Sequence, residues 1–226
     1  MTNHPAGPVD VPILLYHHVA ENQTDHRYYV SPEHFAKQMQ WLTDHGYQTI
    51  TEAALAEVIR HGGELPARPV IITFDDGNED FFNGAYAVMS EQHLVGVAFL
   101  ITNRIDKPKF LSGDQVTELI NAGWEIGSHT ITHPDMVRHR VDLDREIVGS
   151  KEWLDQKFGI NVVSFAYPYG LSNASIIQYV KDHGYTSAAR LGAQMHQSEK
   201  NLYDLSRTEI WGSFDMQQFA ALMPWQ

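Results

Sequence analysis

The sequence predicts an α/β fold in which repeated strand and helix units close into a barrel. Short apolar runs alternate along the chain with stretches of helical periodicity, a pattern typical of a mostly parallel sheet covered by helices. The run from Val70 to Phe74 is rich in β-branched residues, as expected of a strand that is buried on both faces. Because many such units fit within 226 residues, we expect closure into a barrel rather than an open sheet.

Each element has its own signals along the chain. Ser31 followed by Pro32 is typical of an N-cap and a first helical residue, and Thr51 begins the next helix. Ser112 and Gln115 have the spacing of a capping box. The predicted strands span residues 11–16, 70–74, 95–101, 124–126, 162–166, 186–189 and 208–210. The predicted helices span residues 31–46, 51–60, 81–92, 112–123, 143–158, 172–183 and 213–223.

The composition predicts one large domain and limits its partners. Residues 1–10 are polar and contain proline, so we expect a flexible segment there and a single domain over residues 11–226. The chain has 16 Lys and Arg against 28 Asp and Glu, a formal charge of −12, and no basic cluster, which argues against nucleic acid and anionic membranes as partners. With no cysteine, any metal must be bound by histidine and carboxylate.

The sequence shows no targeting or membrane-spanning segment. No apolar stretch reaches about 18 residues, and the N-terminus lacks the basic start and apolar region of a secretory signal. We therefore expect a cytoplasmic protein as the chain stands, or one of the cell envelope or exterior if the sequence is part of a longer one. The oligomeric state stays open.

Two adjacent carboxylates, Asp75 and Asp76, follow the apolar run that ends at Phe74. Active groups of parallel α/β proteins lie where such strands end. Neighbouring like charges push their pKa values apart, so one carboxylate can bind a cation while the other stays available as a proton acceptor. The alternative is a simple turn closed by Gly77.

A second polar group, His129 with His133, follows the strand predicted over residues 124–126. Two imidazoles four residues apart can bind one cation, although such a pair taken alone is more often incidental. With Asp76 they form a set of two histidines and one carboxylate that leaves a coordination position open, as in catalytic rather than structural sites.

Three motifs then indicate a family. They are Thr73 to Gly77 (TFDDG), Gly127 to Pro134 (GSHTITHP) and Phe165 to Gly170 (FAYPYG). In these motifs, their order and their spacing, the chain resembles the polysaccharide deacetylases (the NodB homology domain, carbohydrate esterase family 4) over roughly residues 11–223. The resemblance implies a distorted, incomplete (β/α) barrel, an acetylated oligosaccharide or polysaccharide as substrate, and a divalent ion, usually zinc, with cobalt or nickel as alternatives.

The resemblance also implies roles for individual residues. Asp76, His129 and His133 match the metal-binding triad of the family, and Asp75 matches its general base. A bound divalent ion lowers the pKa of water to about 7, and a carboxylate beside it takes up the proton as the water attacks an acetamide carbonyl. The backbone N–H of Tyr169, placed by the rigid Pro168 turn, would help to stabilise the oxyanion.

The general acid departs from the common pattern of the family. Many members carry it as the histidine of a C-terminal Leu-x-His motif, and no convincing motif of that form follows Tyr185. Leu15 to His17 has this form at the end of the first strand. We therefore hypothesise a circularly permuted arrangement, like that of the family's biofilm poly-N-acetylglucosamine deacetylases, with His17 as the acid. The alternative is a strand-end histidine bonded to backbone.

A second departure concerns the arginine that orients the catalytic aspartate. Many members carry it two residues before the proline of the third motif, where this chain has Ala166. Arg207 is a candidate replacement, because a guanidinium can bind a carboxylate through two parallel hydrogen bonds. A surface position for Arg207 is the equal alternative.

Aromatic residues near the strand ends are candidates for sugar contacts. We expect Tyr167 in the groove beside Pro168, and Trp211 is a candidate platform for a sugar ring, although aromatics at strand ends more often serve packing.

The leading interpretation is a metal-dependent hydrolase that removes N-acetyl groups from a polysaccharide containing N-acetylglucosamine. One alternative is an O-acetyl esterase that acts on xylan or another acetylated polysaccharide. Another is a catalytically inactive carbohydrate-binding domain, against which the intact Asp75 argues.

Overall fold

The protein is a closed barrel of seven parallel strands surrounded by helices, as the sequence predicts. The structure is a computed structural model and describes residues 1–22 and 27–225. Seven strands in place of the eight of a complete (β/α) barrel make this an incomplete version of that fold.

The elements follow one another along the chain in the expected alternation. The strands are β1 (Thr2–His4), β2 (Val9–Asp10), β3 (Ile13–Tyr16), β4 (His18–Val19), β5 (Tyr29–Val30), β6 (Gln48–Thr49), β7 (Gly63–Leu65), β8 (Pro69–Phe74), β9 (Val97–Leu100), β10 (Glu125–Ser128), β11 (Ser164–Ala166), β12 (Ser187–Leu191), β13 (His196–Gln197) and β14 (Leu205–Glu209). The helices are α1 (Pro32–Asp44), α2 (Glu52–His61), α3 (Glu79–Phe81), α4 (Ala87–Glu91), α5 (Gly113–Asn121), α6 (Gly149–Phe158), α7 (Ala174–Asp182) and α8 (Met216–Ala221). Two π-helical segments, 82–86 and 144–148, were not expected from the sequence.

The first barrel strand closes the ring. The order around the barrel is β3, β14, β12, β11, β10, β9, β8, and β3 pairs with β8 to complete it. Leu15 is opposite Thr73 on β8 and opposite Glu209 on β14. The carboxyl ends of β8, β3 and β14 therefore lie side by side, and Asp75 directly follows β8.

Strand periodicity divides the core into two layers. One cluster contains Ile13, Ile71, Ala166 and Leu205 and fills the barrel interior. The other contains the alternate residues of the same strands, such as Ile72, and packs against the surrounding helices. Odd-numbered residues of β3, β8 and β14 thus point inward. This parity is what directs His17, Asp75 and Arg207 toward one mouth of the barrel.

The predicted helix starts are confirmed by their caps. The Ser31 hydroxyl accepts from the His34 N–H at 3.2 Å, and the Thr51 hydroxyl accepts from the Ala54 N–H at 3.1 Å. Ser112 forms the predicted capping box with Gln115. These caps satisfy backbone donors that the first helical turn leaves without a partner.

The N-terminal residues, for which the sequence predicts a flexible segment, contain two short strands. β1 pairs antiparallel with β7, and β2 pairs antiparallel with β13. The division into a flexible segment and one domain stays a prediction. Within the described part of the chain, none of the helices has the length and apolar character needed to span a bilayer.

Candidate active site

A cavity of about 360 Å³ opens at the carboxyl ends of the barrel strands. This is the end at which barrel proteins of this class carry their chemistry, because loops of variable sequence follow each strand there. The cavity is lined by Leu15, His17, His18, Arg27, Tyr28, Asp75, Asp76, His129, His133, Tyr169, Gly170, Leu191, Arg207 and Glu209.

Asp76, His129 and His133 converge on one point of this cavity. Asp76 Oδ1 lies 3.9 Å from His129 Nε2 and 3.7 Å from His133 Nε2, and one ligand atom from each of the three lies within 4.8 Å of the others. Ligand atoms of a tetrahedral zinc site are about 3.4 Å apart, given metal bonds of about 2.1 Å. The three residues therefore fit a divalent ion and leave a further coordination position facing the cavity.

Hydrogen bonding fixes which nitrogen of His129 faces that point. His129 Nδ1 lies 2.7 Å from the Ala166 carbonyl oxygen, which can only accept, so Nδ1 carries the proton. Nε2 is then the free ligand atom. This is the usual way in which proteins orient a metal-binding imidazole. Ala166 stands where many members of the family have an arginine, and its backbone carbonyl accepts this hydrogen bond.

The loop that carries His133 has a strained backbone. Thr130 and His133 have φ of 69° and 60°, and Asp76 has φ of 71°, values uncommon outside glycine. Burial and, after it, the neighbouring His129 lower the pKa of His133 to about 4, against the opposing charge of Asp76. His133 is therefore neutral near pH 7, the form in which imidazole binds metals.

Asp75 is held by Arg207, as predicted for a guanidinium that replaces the family's usual one. Arg207 Nη1 donates to Oδ1 at 2.6 Å, and Nη2 donates to Oδ2 at 2.7 Å. Both side chains are almost fully buried. Burial raises the pKa of Asp75, but the Arg207 charge and, to a lesser degree, His129 outweigh it and bring the pKa to about 2. The surface alternative for Arg207 does not hold.

His17 directly follows β3 and lines the cavity on that side. Its ring contacts the Tyr28 ring edge-on, with centroids 5.0 Å apart. Burial lowers the pKa of His17, while the charges of Asp75, Asp76 and Glu209 act in the opposite direction. The neighbouring His18 points differently, since its Nδ1 lies 2.7 Å from Asp80 Oδ2 and its ring stacks on Tyr29.

The third motif forms a tight turn over residues 168–170. Tyr169 has φ of 60° and is 56% exposed, and its ring lies edge-on to His133 with centroids 4.5 Å apart. Tyr169 lines the cavity, whereas Pro168 is buried in the turn and does not. The role of the Tyr169 N–H toward an oxyanion stays a prediction.

The structure does not bring Tyr167 into the groove, so the expected sugar contact has to be corrected. Its side chain is fully buried in the outer core layer and its hydroxyl donates to the Tyr203 carbonyl at 2.9 Å. The reason is strand parity, because the inward position next to it belongs to Ala166. Trp211 is not among the residues that line the cavity; it is 41% exposed and donates its Nε1 proton at 2.7 Å to Glu209, which does line it.

Two charged residues that line this cavity, Glu209 and Arg27, were not predicted from the sequence. Glu209 lies two residues after Arg207 on β14, so the same parity signal that directs Arg207 inward also identifies Glu209. Arg27 donates to Glu209 at 2.9 Å and lies over the rings of Tyr28 and Trp211. No pattern within residues 20–30 predicts that contact, because it depends on the closure of the barrel.

Comparisons with known proteins give a consistent family assignment. The family model described as polysaccharide deacetylase matches residues 62–188, more than half of the chain. The poly-beta-1,6-N-acetyl-D-glucosamine N-deacetylase of Staphylococcus epidermidis is 32% identical over 174 residues, which are 70% of this chain and 59% of that protein. The range that the family model matches, residues 62–188, contains Asp75, Asp76, His129 and His133. His17 and Arg207 lie outside that range.

Solved structures show the same fold. The Streptococcus pyogenes deacetylase PplD, in complex with acetate, has a TM-score of 0.85 and 27% identity and covers 96% of this chain and 99% of its own. The Bacillus cereus polysaccharide deacetylase BC0361 also has a TM-score of 0.85, with 26% identity, and the match covers 95% of this chain and 69% of that one.

Proposed function

The chain belongs to the polysaccharide deacetylase family of hydrolases, and from that premise we propose that its cavity removes N-acetyl groups from a polysaccharide containing N-acetylglucosamine. One observation carries this proposal: the ligand atoms of Asp76, His129 and His133 converge directly beside an ionised Asp75, with His17 lining the same cavity. The relative from Staphylococcus epidermidis, which is named for that activity, supports this choice of substrate.

We propose that Asp76, His129 and His133 bind a divalent ion and that zinc is the first candidate. When bound, such an ion supplies Lewis acidity and makes water a stronger nucleophile. Asp75 Oδ2 lies 3.7 Å from His129 Nε2, so its carboxylate borders the point where that ion and a water would lie. Arg207 binds both oxygens of Asp75 and keeps it ionised, which is the form in which a carboxylate can accept a proton.

His17 is the proposed acid that protonates the leaving amine. An amide needs such an acid far more than an ester does, because an amine anion is a much poorer leaving group than an alkoxide. In the free protein burial favours neutral His17, so before it can donate to the amine it would take up a proton from solvent or from the water that attacks the amide. The negative charges of Asp75, Asp76 and Glu209 around the cavity favour that protonated form.

The remaining cavity residues would bind and orient the sugar. A volume of about 360 Å³ suits one sugar unit with its acetyl group rather than a longer stretch of glycan. The Tyr169 N–H is the proposed donor to the developing oxyanion. Trp211 offers an exposed indole beside the cavity, held in place by Glu209, on which a neighbouring sugar ring could stack.

The test is acetate release from matched substrates. We expect release from β-1,6- and β-1,4-linked N-acetylglucosamine oligomers, loss of release after chelation, and recovery on adding zinc, cobalt or nickel. Acetylxylan is the control for O-acetyl esterase activity. Release from acetylxylan alone would replace the proposal with the esterase, and binding of oligomers with no acetate release under any metal would indicate an inactive binding domain.

A further inference from the structure

The loop between the two proposed metal-binding histidines is held by a carboxylate outside the cavity. Glu146 Oε2 accepts from the Ile131 N–H at 3.0 Å and from the Thr132 N–H at 2.8 Å. Its other oxygen, Oε1, accepts from the Thr132 hydroxyl at 2.9 Å. Glu146 is only 4% exposed, so these bonds are sheltered from water. One side chain thus engages three donors within the segment His129 to His133.

The conformation of this loop needs such a partner. Two successive N–H groups point at one carboxylate, an arrangement that backbone nests offer to anions. Thr130 is β-branched and still has φ of 69°, and His133 has φ of 60°. Such residues persist only where their surroundings hold them. Hydrogen bonds to a carboxylate are stronger than those between neutral groups and oppose that strain.

The π-helical segment 144–148 explains how Glu146 reaches the loop. A π-helical turn inserts an extra residue and shifts the face that follows, and such turns are frequent at functional sites. Here both Glu146 and Ile147 are buried toward the barrel. The following α6 continues the contact, because the hydroxyls of Ser150 and Ser128 lie 2.6 Å apart next to His129. The segment therefore braces the histidine loop from behind.

The opposite side of the loop is fixed as well. The Thr102 N–H donates to the Thr130 carbonyl at 3.1 Å, and the Asn103 N–H donates to the Ile131 carbonyl at 3.2 Å. Within the loop, the His133 N–H donates to the Thr130 hydroxyl at 2.9 Å. The loop carbonyls are thus held by the turn that follows β9, and the loop N–H groups are held by Glu146.

We propose that Glu146 is a positioning residue for the metal site: it holds residues 130–133 in the strained form that directs His133 toward His129 and Asp76. The inference rests on the proposed metal-dependent function and deepens it. Glu146 contacts neither the ion site nor the cavity, so it acts only through the loop. Partners of this kind typically change metal affinity about 10–100-fold when they are replaced.

The experiment measures metal affinity and geometry in Glu146→Gln, which keeps the side-chain shape but turns an amide N–H toward loop donors. Glu152→Gln, an exposed glutamate on α6, is the matched control. We expect Glu146→Gln to bind zinc about 10–100-fold more weakly in competition with a chelator. The absorption spectrum of its cobalt form should also change, and its acetate release should recover at high metal concentration. The control should match the wild type in all three measurements.

A second variant protects the test against a folding defect. Thr132→Val removes only the hydroxyl bond to Glu146 and should weaken zinc binding by a smaller factor, with little further loss when combined with Glu146→Gln. Wild-type affinity and an unchanged cobalt spectrum in both variants would overturn the inference. A wild-type protein that binds no metal at all would instead overturn the proposed function, so the two failures are distinguishable.

Discussion

The two ends of the barrel interior each contain a buried carboxylate, and the two behave in opposite ways. Asp75 at the carboxyl end and Glu52 at the amino end are both almost completely buried. Burial alone would raise both pKa values. The Arg207 charge nevertheless brings the pKa of Asp75 to about 2. Burial, and then the charge of Glu125, raise the pKa of Glu52 to about 8. The partner, and not the depth of burial, decides which carboxylate is charged.

This difference in protonation indicates a chemical role for the carboxylate at the carboxyl end and a structural role for those at the amino end. At the amino end, Glu125 accepts from the Ala53 N–H at 2.9 Å, so it binds the first turn of α2 to the barrel floor. Glu52 begins that helix and stays protonated near pH 7. At the carboxyl end, the ionised Asp75 faces the cavity beside the triad. A barrel interior that is uniformly low in dielectric thus supports two different protonation states.

Of the changes at these two buried carboxylates, the larger expected effect comes from replacing the partner of Asp75. Arg207→Lys keeps the charge but replaces two parallel N–H donors with one ammonium group, which cannot bind both carboxylate oxygens in the same way. We expect kcat for acetate release to fall about 10–100-fold with little change in KM, because a misplaced base loses part of its about 10²–10⁴-fold contribution. Steady-state kinetics on an N-acetylglucosamine oligomer measure this.

Arg190→Lys is the matched control for this prediction. Arg190 lies on the neighbouring strand β12 and is ion-paired with Asp204 at 2.8 Å, outside the cavity lining. Its replacement should leave kcat within about twofold of the wild type, as is usual for a partly exposed ion pair. An unchanged kcat in Arg207→Lys would remove Arg207 from the proposed machinery.

A smaller effect, on stability rather than activity, is expected at the amino end. The folded-state pKa of Glu52, about 8, lies above its ordinary value of 4.5, so the folded protein binds an extra proton between these pH values. This group therefore makes the protein lose stability as pH rises from about 5 to 8. Glu52→Gln cannot titrate, so its Tm should fall less over that range, by an amount on the order of 10 °C.

Thermal unfolding of both proteins at pH 5 and pH 8 measures the Glu52 effect, and the two Tm differences are compared. Titration of groups that do not interact with Glu52 is common to the two proteins and cancels, so the difference reports Glu52 together with its neighbour Glu125. Acetate release by Glu52→Gln at pH 7 should equal that of the wild type, since the residue is neutral there and lies at the far end of the barrel. Parallel Tm curves would show that Glu52 does not titrate in this range.

The features of the fold and the site that were predicted from the sequence are those that depend on a few neighbouring residues. The strand and helix order, the caps at Ser31 and Thr51, and the cluster of Asp76 with His129 and His133 were all predicted, because each depends on a few neighbouring residues and on where strands end. The pairing of Arg207 with Asp75 was predicted as one of two alternatives. It depends on the ring order that places β14 next to β3 and β3 next to β8.

The missed features are those that depend on side-chain direction across the fold. Tyr167 was expected in the groove because it lies in a motif, but strand parity directs it outward. Glu146 lies 13 residues after His133, and only a π-helical turn directs it at the histidine loop. Propensity does not predict such a turn, because it is stabilised by tertiary contacts rather than by its own residues.

The proposed role of His17 as the acid in amide hydrolysis is tested by the ratio of amide to ester cleavage in His17→Ala and His18→Ala. We predict that His17→Ala loses about 10²–10⁴-fold in acetate release from N-acetylglucosamine oligomers but much less on an activated acetate ester. His18→Ala should lose far less on the oligomers. Equal losses on the amide substrate in the two variants would show that His17 is not the acid.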